Sequence, residues 1–394
     1  MFRGSYNITR IAAALMALLA LAMLPGRAAE EPYELYAIIS LTGPAAFAGR
    51  GEQITFGAIE RLVNGTGGIK GRPLHIAIQD DQSNPANAIQ IANQIFAKHV
   101  PVFIGPGFGA TCTAVLPLIA SGPVMYCLSN VIHPPNGSFA FSASPSTKDY
   151  TAVGLRWLKA KGVHKLALLT TTDASGQDGE AVALENLKLP EFRSLQVVAN
   201  EHFSVTDLTV AAQVARIKAA GAEAVDAWTT GTPFGTVLRS VADSGWDGIV
   251  MTNAGNMNKA QMEQYAQVIP RQMIVTASPF FAVGQVPAAV RLARVTFLDA
   301  LHQSNVAEAD NSTLVGWDPV LIVVDALRHL GTGASAVQVR DYLDKLHDFP
   351  AISGIYDFRR GDQRGVDPLG SVLVRWDKAA HDFVATSKPG GLPL

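Results

Sequence analysis

Two periods of apolar residues alternate along most of the chain. Short runs of β-branched and aromatic residues, such as 34–40 and 165–171, predict buried strands. Between such runs lie segments with helical spacing. In 52–64, for example, Ile54, Ala58 and Leu62 are predicted to form the buried face, with Phe56 and Ile59 on its flank. Strands that alternate with helices of this length predict βαβ units and a parallel sheet covered on both faces.

This alternation occurs twice, at 33–145 and again at 148–277, so each segment reads as an open α/β unit. Three later segments predict helices, at 287–304, 316–331 and 335–348, and the end of the chain predicts hairpin strands. Periodicity alone does not assign these late segments to either unit. A length of 394 residues also favours two domains. We therefore predict an α/β fold with two doubly wound parallel sheets.

Ligands of open parallel sheets bind outside the carboxyl ends of the strands, so two facing sheets form a binding cleft. The loops that leave the predicted strands are 41–49, 105–111, 127–131, 171–179, 229–235, 252–258 and 278–281. Most of them are rich in glycine, threonine and asparagine. Candidate ligand-binding residues are therefore expected in these loops.

The amino terminus predicts a secretory signal peptide at 1–29. Arg3 and Arg10 precede an apolar run at 11–25, and a small-x-small site follows at 26–28. An uncleaved anchor helix is the alternative, but the run is shorter than the about 20 residues that span a membrane. No cysteine follows the site, so no lipid anchor is indicated. The mature protein is expected outside the cytoplasm.

Composition and charge exclude several classes of function. The net charge is −2, so no basic face for nucleic acid is indicated. The chain has no GxSxG, HExxH or P-loop motif, and GPGFGA lacks the last glycine of a dinucleotide loop. The histidines are scattered, and no acid and base pair is recognisable. We expect no catalytic residues, no metal site and no cofactor.

Four blocks of sequence carry a family resemblance. They are LTGPAAFAG (41–49), NGTGGIKGRPLHIAIQDDQSNP (64–85), FIGPGFGA (103–110) and ISGIYDFRRGDQRG (352–365). In this order they resemble the branched-chain amino acid type of periplasmic solute-binding protein. Such proteins are the receptors of ABC importers and have the type I periplasmic binding fold. The resemblance is spread over most of the mature chain.

The resemblance implies two lobes joined by three crossings, with the ligand held between the lobes and hinge closure around it. It places the crossings near 144–147, 277–281 and 349–353. The first lobe is then 30–146 plus 279–350, and the second lobe is 147–278 plus 351–394. Late helices are thereby assigned to the first lobe and the terminal hairpin to the second.

Carried onto this chain, the resemblance implies a set of ligand-binding residues. They are Phe47, Phe108, Gly109, Ala110, Thr111, Ser129, Asn130, Asp173, Asp178, Thr230, Gly231, Asn253, Ala254, Asn256 and Phe280. Relatives bind the ligand carboxylate at the helix start near Gly109, where they have a serine; Thr111 can supply the missing hydroxyl. Ser129 and Asn130 are the polar candidates of the adjoining wall.

One departure from the family bears on the ligand. Amino acid-binding relatives place an acidic residue at the position of Ala254, where it pairs with the ligand ammonium. Because a buried ammonium without a partner is costly, an α-amino acid is disfavoured unless Asp173 or Asp178 replaces that acid. Phenylalanines near the cleft favour an aromatic acid, although each of them also fits the core of its own lobe.

The sequence therefore predicts a periplasmic, monomeric receptor that delivers a small carboxylate-bearing ligand to an ABC permease and ATPase. A branched-chain amino acid receptor and a ligand sensor of a signalling system are the alternatives. Cys112 and Cys127 are the only cysteines, and spacing leaves a disulfide and two buried thiols both open. The family layout places both at the carboxyl edge of the first sheet, where a disulfide is feasible.

Overall fold

The computed structural model describes residues 31–307 and 309–394. The predicted signal peptide at 1–29 lies outside the described residues. Within the described part of the chain, no helix combines the length and the apolar character needed to cross a membrane.

The first large sheet has five parallel strands in the order β2-β1-β3-β4-β5. Its strands are β1 (Tyr33–Ile39), β2 (Leu74–Asp80), β3 (Val102–Ile104), β4 (Val124–Cys127) and β5 (Ala140–Ser142). The residues of β3, β4 and β5 are all buried, as expected for strands covered on both faces.

The second large sheet has seven strands in the order β14-β13-β10-β9-β8-β6-β7. Its parallel part contains β6 (Lys165–Thr171), β7 (Gln196–Phe203), β8 (Ala224–Trp228), β9 (Ile249–Thr252) and β10 (Met273–Ala277). The strands β13 (Val372–Asp377) and β14 (Asp382–Ala385) extend it antiparallel at one edge. A separate antiparallel pair is formed by β11 (Phe349–Ala351) and β12 (Gly354–Tyr356).

Twelve α-helices among the described residues connect and cover the sheets. They are α1 (Ala46–Gly65), α2 (Pro85–Phe96), α3 (Gly109–Val115), α4 (Thr147–Ala160), α5 (Ala174–Leu187), α6 (Ala211–Ala219), α7 (Thr232–Ser244), α8 (Lys259–Gln264), α9 (Ala288–His302), α10 (Asn311–Leu314), α11 (Trp317–Leu330) and α12 (Ala336–Leu343). Asparagine and serine side chains cap several amino termini, as in the capping box of Ser146 and Asp149. The predicted α/β class with parallel sheets is confirmed.

The apolar core is divided between the two sheets. One cluster contains the first sheet and late residues such as Phe297 and Trp317. Two other clusters contain strand residues of the second sheet. The late helices thus pack with the first sheet. The predicted position of the third crossing is wrong, because Ile352, Tyr356 and Phe358 also pack in the first cluster. The chain reaches the second sheet only with β13.

Helix α1 begins at Ala46, inside the segment 41–49 that was expected to be a loop. Gly49 and Gly51 allow this start, since a Cβ atom there would lie 2.0 Å from the Ser40 oxygen and the Ser312 hydroxyl, respectively. The predicted buried face of this helix is right at Ala58, which is 1% exposed, but its centre is shifted toward the predicted flank. Phe56, Ile59 and Val63 are almost fully buried, whereas Ile54 is 38% exposed.

Candidate functional site

A cavity lies between the two large sheets, at the carboxyl ends of their strands. Its wall includes Ser40, Gly107 and Leu128 from loops after strands of the first sheet, and Trp228 and Asn253 from the second. About 60 Å³ of this cavity is open to the centre of a water molecule, several times the about 10–15 Å³ that one water needs. The cavity therefore has room for more than one water molecule.

Seven of the predicted site residues are brought together around this cavity. They are Phe108, Gly109, Ser129, Asn130, Thr230, Asn253 and Ala254. They lie in four loops, two that follow strands of the first sheet and two that follow strands of the second, and a hundred positions separate Asn130 from Thr230. Two further predicted residues, Ala110 and Asp173, line a neighbouring cavity that shares Phe108, Ser175 and Thr230 with the first.

Other predicted residues lie outside the cavity wall. The Thr111 hydroxyl donates to the Phe108 carbonyl at 2.9 Å and is fully buried. Asn256 is also fully buried; its side-chain amide donates to Thr252 at 2.8 Å, and its oxygen accepts from the Gly231 amide at 3.0 Å. Thr111, Gly231 and Asn256 therefore bond to neighbouring loop residues behind the wall. None of the three lines the cavity in which the ligand was expected to contact them.

The two aspartates that were considered as ammonium partners have other partners. Asp173 caps helix α5, accepting from the Gly176 amide at 3.1 Å and from the Thr171 hydroxyl at 2.7 Å. Asp178 accepts from His133 at 2.7 Å. Neither aspartate lines the main cavity.

Two predicted phenylalanines also lie away from the cavity. Phe280 packs edge-on against Phe281 and Phe297, with the Arg294 guanidinium 5.1 Å from its ring centroid. Phe47 lies on the first turns of α1, and its carbonyl accepts from the Asn258 side chain at 3.1 Å. Phe280 is therefore held away from the cavity by aromatic packing, and Phe47 is not among the residues that line the cavity.

The cavity-wall residues that sequence reasoning missed include three large side chains, Glu52, Tyr150 and Trp228. Trp228 ends β8 and is 2% exposed. Its ring lies against Gly179, where a Cβ atom would come within 2.2 Å of the indole. An aromatic residue at the carboxyl end of a predicted parallel strand was the available signal for Trp228. Tyr150 faces the cavity from α4.

Glu52 is the cavity residue with the most unusual environment. It is 1% exposed, and burial, followed by the nearby Asp81 carboxyl, raises the pKa of Glu52 to about 8. Glu52 lies four residues before Phe56 and therefore on the same, buried face of α1. This spacing was the sequence signal that could have predicted the burial of Glu52.

Three residues of the cavity wall carry a buried polar atom without a hydrogen-bond partner. Oε2 of Glu52, Nδ2 of Asn130 and the Tyr150 hydroxyl all lack a hydrogen-bond partner by geometry, although Ser144 lies beside Tyr150. Buried polar atoms are rarely left without a partner. The wall residues therefore include an acid, an amide donor and a hydroxyl whose hydrogen-bonding capacity is unused. Among the described residues, no lysine, arginine or histidine lines this cavity.

The rims of the cleft are in contact. The Thr232 amide donates to the Pro44 carbonyl at 3.2 Å, a bond made by main-chain atoms alone. Gly231, which has a φ of 80°, allows this approach, because a Cβ atom there would lie 2.1 Å from the Pro44 oxygen. The rims thus meet through backbone rather than through the side chains that face the cavity.

Cys112 and Cys127 form a disulfide next to the cavity wall. It joins helix α3 to the end of β4. Gly109 is the first residue of α3, and Ser129 lies in the loop that follows β4. Within the described residues, no group of histidine, cysteine, aspartate or glutamate side chains has the arrangement of a metal site.

Comparison with known proteins identifies the family. A model described as periplasmic binding protein matches residues 37–381. The chain belongs to the periplasmic binding protein family. This is a family of solute-binding proteins, and the resemblance carried by the sequence blocks is thereby confirmed.

The curated relative of this periplasmic binding protein is Leu/Ile/Val-binding protein homolog 3 of Brucella melitensis. The two are 26% identical over 250 residues, which cover 56% of this chain and 61% of that protein. The chain therefore spans about three fifths of the length of the curated relative that it matches.

Solved structures show the same fold. A periplasmic binding protein type 1 from Bordetella pertussis Tohama I is 18% identical, with a TM-score of 0.78, and the match covers 91% of this chain and 100% of that one. The branched-chain amino acid transporter substrate binding protein LivJ from Streptococcus pneumoniae, solved with isoleucine, is 17% identical with a TM-score of 0.73, covering 90% and 100%. The type I periplasmic binding fold is thus confirmed for this protein.

Proposed function

We propose that this periplasmic binding protein is the receptor of an ABC importer. It captures a small carboxylate-bearing ligand, with an aromatic acid favoured, between two lobes that close by hinge motion. It then delivers the ligand to a permease and ATPase in the inner membrane. The protein acts as a monomer in the periplasm after removal of residues 1–29, and it makes and breaks no bond.

The cavity between the two sheets is the observation that carries this proposal. Ligand sites are typically concave and mostly apolar, with a few polar groups that fix orientation. The rings of Phe108, Tyr150 and Trp228 supply the apolar part of this wall. Asn130 and Ser129 supply polar groups beside them. Aromatic walls of this kind support a planar ligand body.

The donors around Gly109 support a carboxylate head group. The first amides of a helix have no partner within the helix, and they attract negative charge. Here they are joined by the unpartnered Nδ2 atom of Asn130. Ala254 presents a methyl group at the position of the acidic residue of amino acid-binding relatives, and Asp173 and Asp178 are engaged elsewhere. These observations favour an acid over an α-amino acid.

A branched-chain amino acid is the second candidate ligand. It is favoured by one observation, the buried carboxyl group of Glu52 in the cavity wall, which is able to pair with an ammonium group. The printed name of the curated relative, a Leu/Ile/Val-binding protein homolog, points the same way.

A thermal-shift screen of the mature protein, followed by calorimetry, tests the proposal. The panel contains benzoate and hydroxybenzoates, leucine and valine, short dicarboxylates, and amides. A ligand at 100 times its Kd stabilises the folded state by about 2.7 kcal/mol. We expect aromatic acids to raise the melting temperature and leucine to have little effect. A rise with leucine alone would replace the first candidate by the second, and no rise with any carboxylate would contradict both.

The Trp228→Ala variant locates the binding event. Loss of the indole from the cavity wall is expected to abolish the shift caused by the best ligand. Phe280→Ala is the matched control, because Phe280 packs away from the cavity. It should lower the melting temperature of the free protein while the ligand-induced shift persists.

A further inference from the structure

Glu52 is a buried acid that the family resemblance does not explain. It lies in the second turn of α1, is 1% exposed and lines the cavity, where its Oε2 atom has no hydrogen-bond partner. Its carboxyl group lies against Gly107, so close that a Cβ atom there would be 2.5 Å from Oε2. The carboxyl is therefore next to the loop that leads to Gly109.

Among the described residues, no cation lines the cavity beside Glu52. The other titratable group in the described cavity wall is Tyr150, on α4. Behind the wall, Asp81 accepts from the Ser40 hydroxyl at 2.6 Å and from the Ser83 amide at 2.8 Å. Asp310 lies behind Ser312, which packs against Gly51. All three neighbours are neutral or acidic.

An ionised carboxylate at this buried position is energetically costly. It has lost its hydration and has gained neither a neighbouring cation nor enough hydrogen-bond donors in exchange. The neutral carboxylic acid avoids this cost. Burial and the proximity of Asp81 accordingly raise the pKa of Glu52 to about 8. At neutral pH the group is then mainly protonated, with one hydroxyl donor available.

We propose that Glu52 recognises the ligand as a neutral carboxylic acid and donates a hydrogen bond from its hydroxyl to a ligand carboxylate oxygen. This inference rests on the proposed function and narrows the ligand class to compounds with an anionic acceptor near Gly107 and Gly109. A ligand that presents a cation to Glu52 is outside this class. Protonated Glu52 thus makes the site specific for ligands that carry a carboxylate.

The proposal gives a defined pH dependence. Above about pH 8 Glu52 ionises and repels a ligand carboxylate, so the affinity should fall by up to about tenfold per pH unit. Binding in that range should take up a proton, because the bound anion favours the protonated form of Glu52. A cationic ligand would show the opposite sign, with proton release and tighter binding as the pH rises.

The test is calorimetry with benzoate at pH 6.5 and at pH 9.5, in buffers of different ionisation enthalpy. The isosteric variant Glu52→Gln keeps a donor but cannot ionise. We expect it to lose the pH dependence and to weaken benzoate binding only a few-fold at pH 6.5. Glu52→Leu should weaken binding at least tenfold. Asp247→Asn is the acid-to-amide control, because Asp247 is 75% exposed and does not line the cavity.

Each outcome is decisive. If Glu52→Gln binds benzoate as poorly as Glu52→Leu, or if the affinity for benzoate rises with pH, the proposal is overturned, because a neutral hydrogen-bond donor at this position is then not what benzoate needs. Leucine binding with proton release would overturn it in favour of the second candidate ligand, leaving the receptor function intact. If the wild-type protein binds neither probe, the ligand class of the proposed function fails as well. Unfolding midpoints of all variants establish that they are folded.

Discussion

The Nε2 atom of His133 lies 2.7 Å from the Oδ1 atom of Asp178, and this contact joins the loop after β4 to helix α5. The histidine side chain is 49% exposed, and exposed ion pairs contribute about 0.2–1 kcal/mol. Because the pair connects the two sides of the cleft, His133→Ala should weaken ligand binding by about fivefold at most. Calorimetry measures this change.

His75→Ala is the control for that experiment. His75 contacts Glu60 within the first half of the fold, at 3.0 Å, and is similarly exposed. It should leave the affinity unchanged. Equal affinities of the His133→Ala variant and the wild type would mean that the contact does not favour the closed arrangement.

Gly179 is expected to control the cavity without touching the ligand. A Cβ atom at this position would come within 2.2 Å of the Trp228 ring, so Gly179→Ala must displace the indole. We expect a loss of ligand affinity of tenfold or more. Gly57→Ala is the matched helical control, because its Cβ would meet nothing closer than 3.7 Å. An unchanged affinity for Gly179→Ala would show that Trp228 is not part of the binding wall.

Ala254 offers a direct test of ligand class. Ala254→Glu adds an acidic group at the position where the family resemblance implies one in amino acid-binding relatives. We expect this variant to gain measurable affinity for leucine and to lose at least tenfold in affinity for benzoate, since two like charges would then share the site. Ala254→Ser adds a polar group without charge and should change neither affinity by more than a few-fold. Calorimetry with both ligands distinguishes the variants, and a leucine affinity unaffected by the new carboxylate would contradict the assignment.

Asp226 should make stability depend on pH. It lies in β8, is 2% exposed, and desolvation raises its pKa from 3.8 to about 7. The folded state therefore binds the proton more tightly than the unfolded state. The free energy of unfolding should fall as the pH rises from about 4 to about 7, by about 1.4 kcal/mol per unit of pKa difference at most.

Asp226→Asn removes this titration. The variant should match the wild type near pH 4 and be more stable than it at pH 8. Urea unfolding at several pH values measures the difference, with Asp247→Asn as an exposed control. A wild-type protein whose stability rises over that range while the variant's does not would reverse the assigned sign.

The disulfide between Cys112 and Cys127 closes a loop of 15 residues. In the chain-entropy model, a loop of this size contributes about 3 kcal/mol to stability. Reduction, or the double variant Cys112→Ser with Cys127→Ser, should lower the urea midpoint accordingly. A thiol titration of denatured, unreduced protein should detect no free thiol, and two thiols per chain would refute the bond.

The sequence was sufficient for the fold because strand and helix periods are local signals. Runs such as 165–171 became buried parallel strands at the predicted places. The lobe boundary near residue 351 was misplaced because only tertiary packing, the burial of Tyr356 and Phe358 in the first core, decides it. Periodicity carries no information on which core a short hairpin joins.

The site was only partly predictable for the same reason. Loops after strands identified Phe108, Ser129 and Ala254, since the position of a loop in an α/β sheet follows from topology. Whether a phenylalanine such as Phe280 enters the cleft depends on rotamers and neighbours. Glu52 escaped notice because an acid in an amphipathic helix usually faces water, and here the centre of the buried helix face was misplaced.

The main-chain hydrogen bond from Thr232 to Pro44 has a consequence for how such a receptor diversifies. It depends on the backbone and on Gly231, so substitutions of the residues that face the ligand leave it intact. Cavity side chains can therefore drift, or be redesigned, while this contact between the rims is kept. In this scaffold main-chain atoms form the contact between the rims, and side chains form the cavity wall. It is therefore a suitable starting point for optical biosensors, in which one pair of reporter groups placed across the rim serves many analytes.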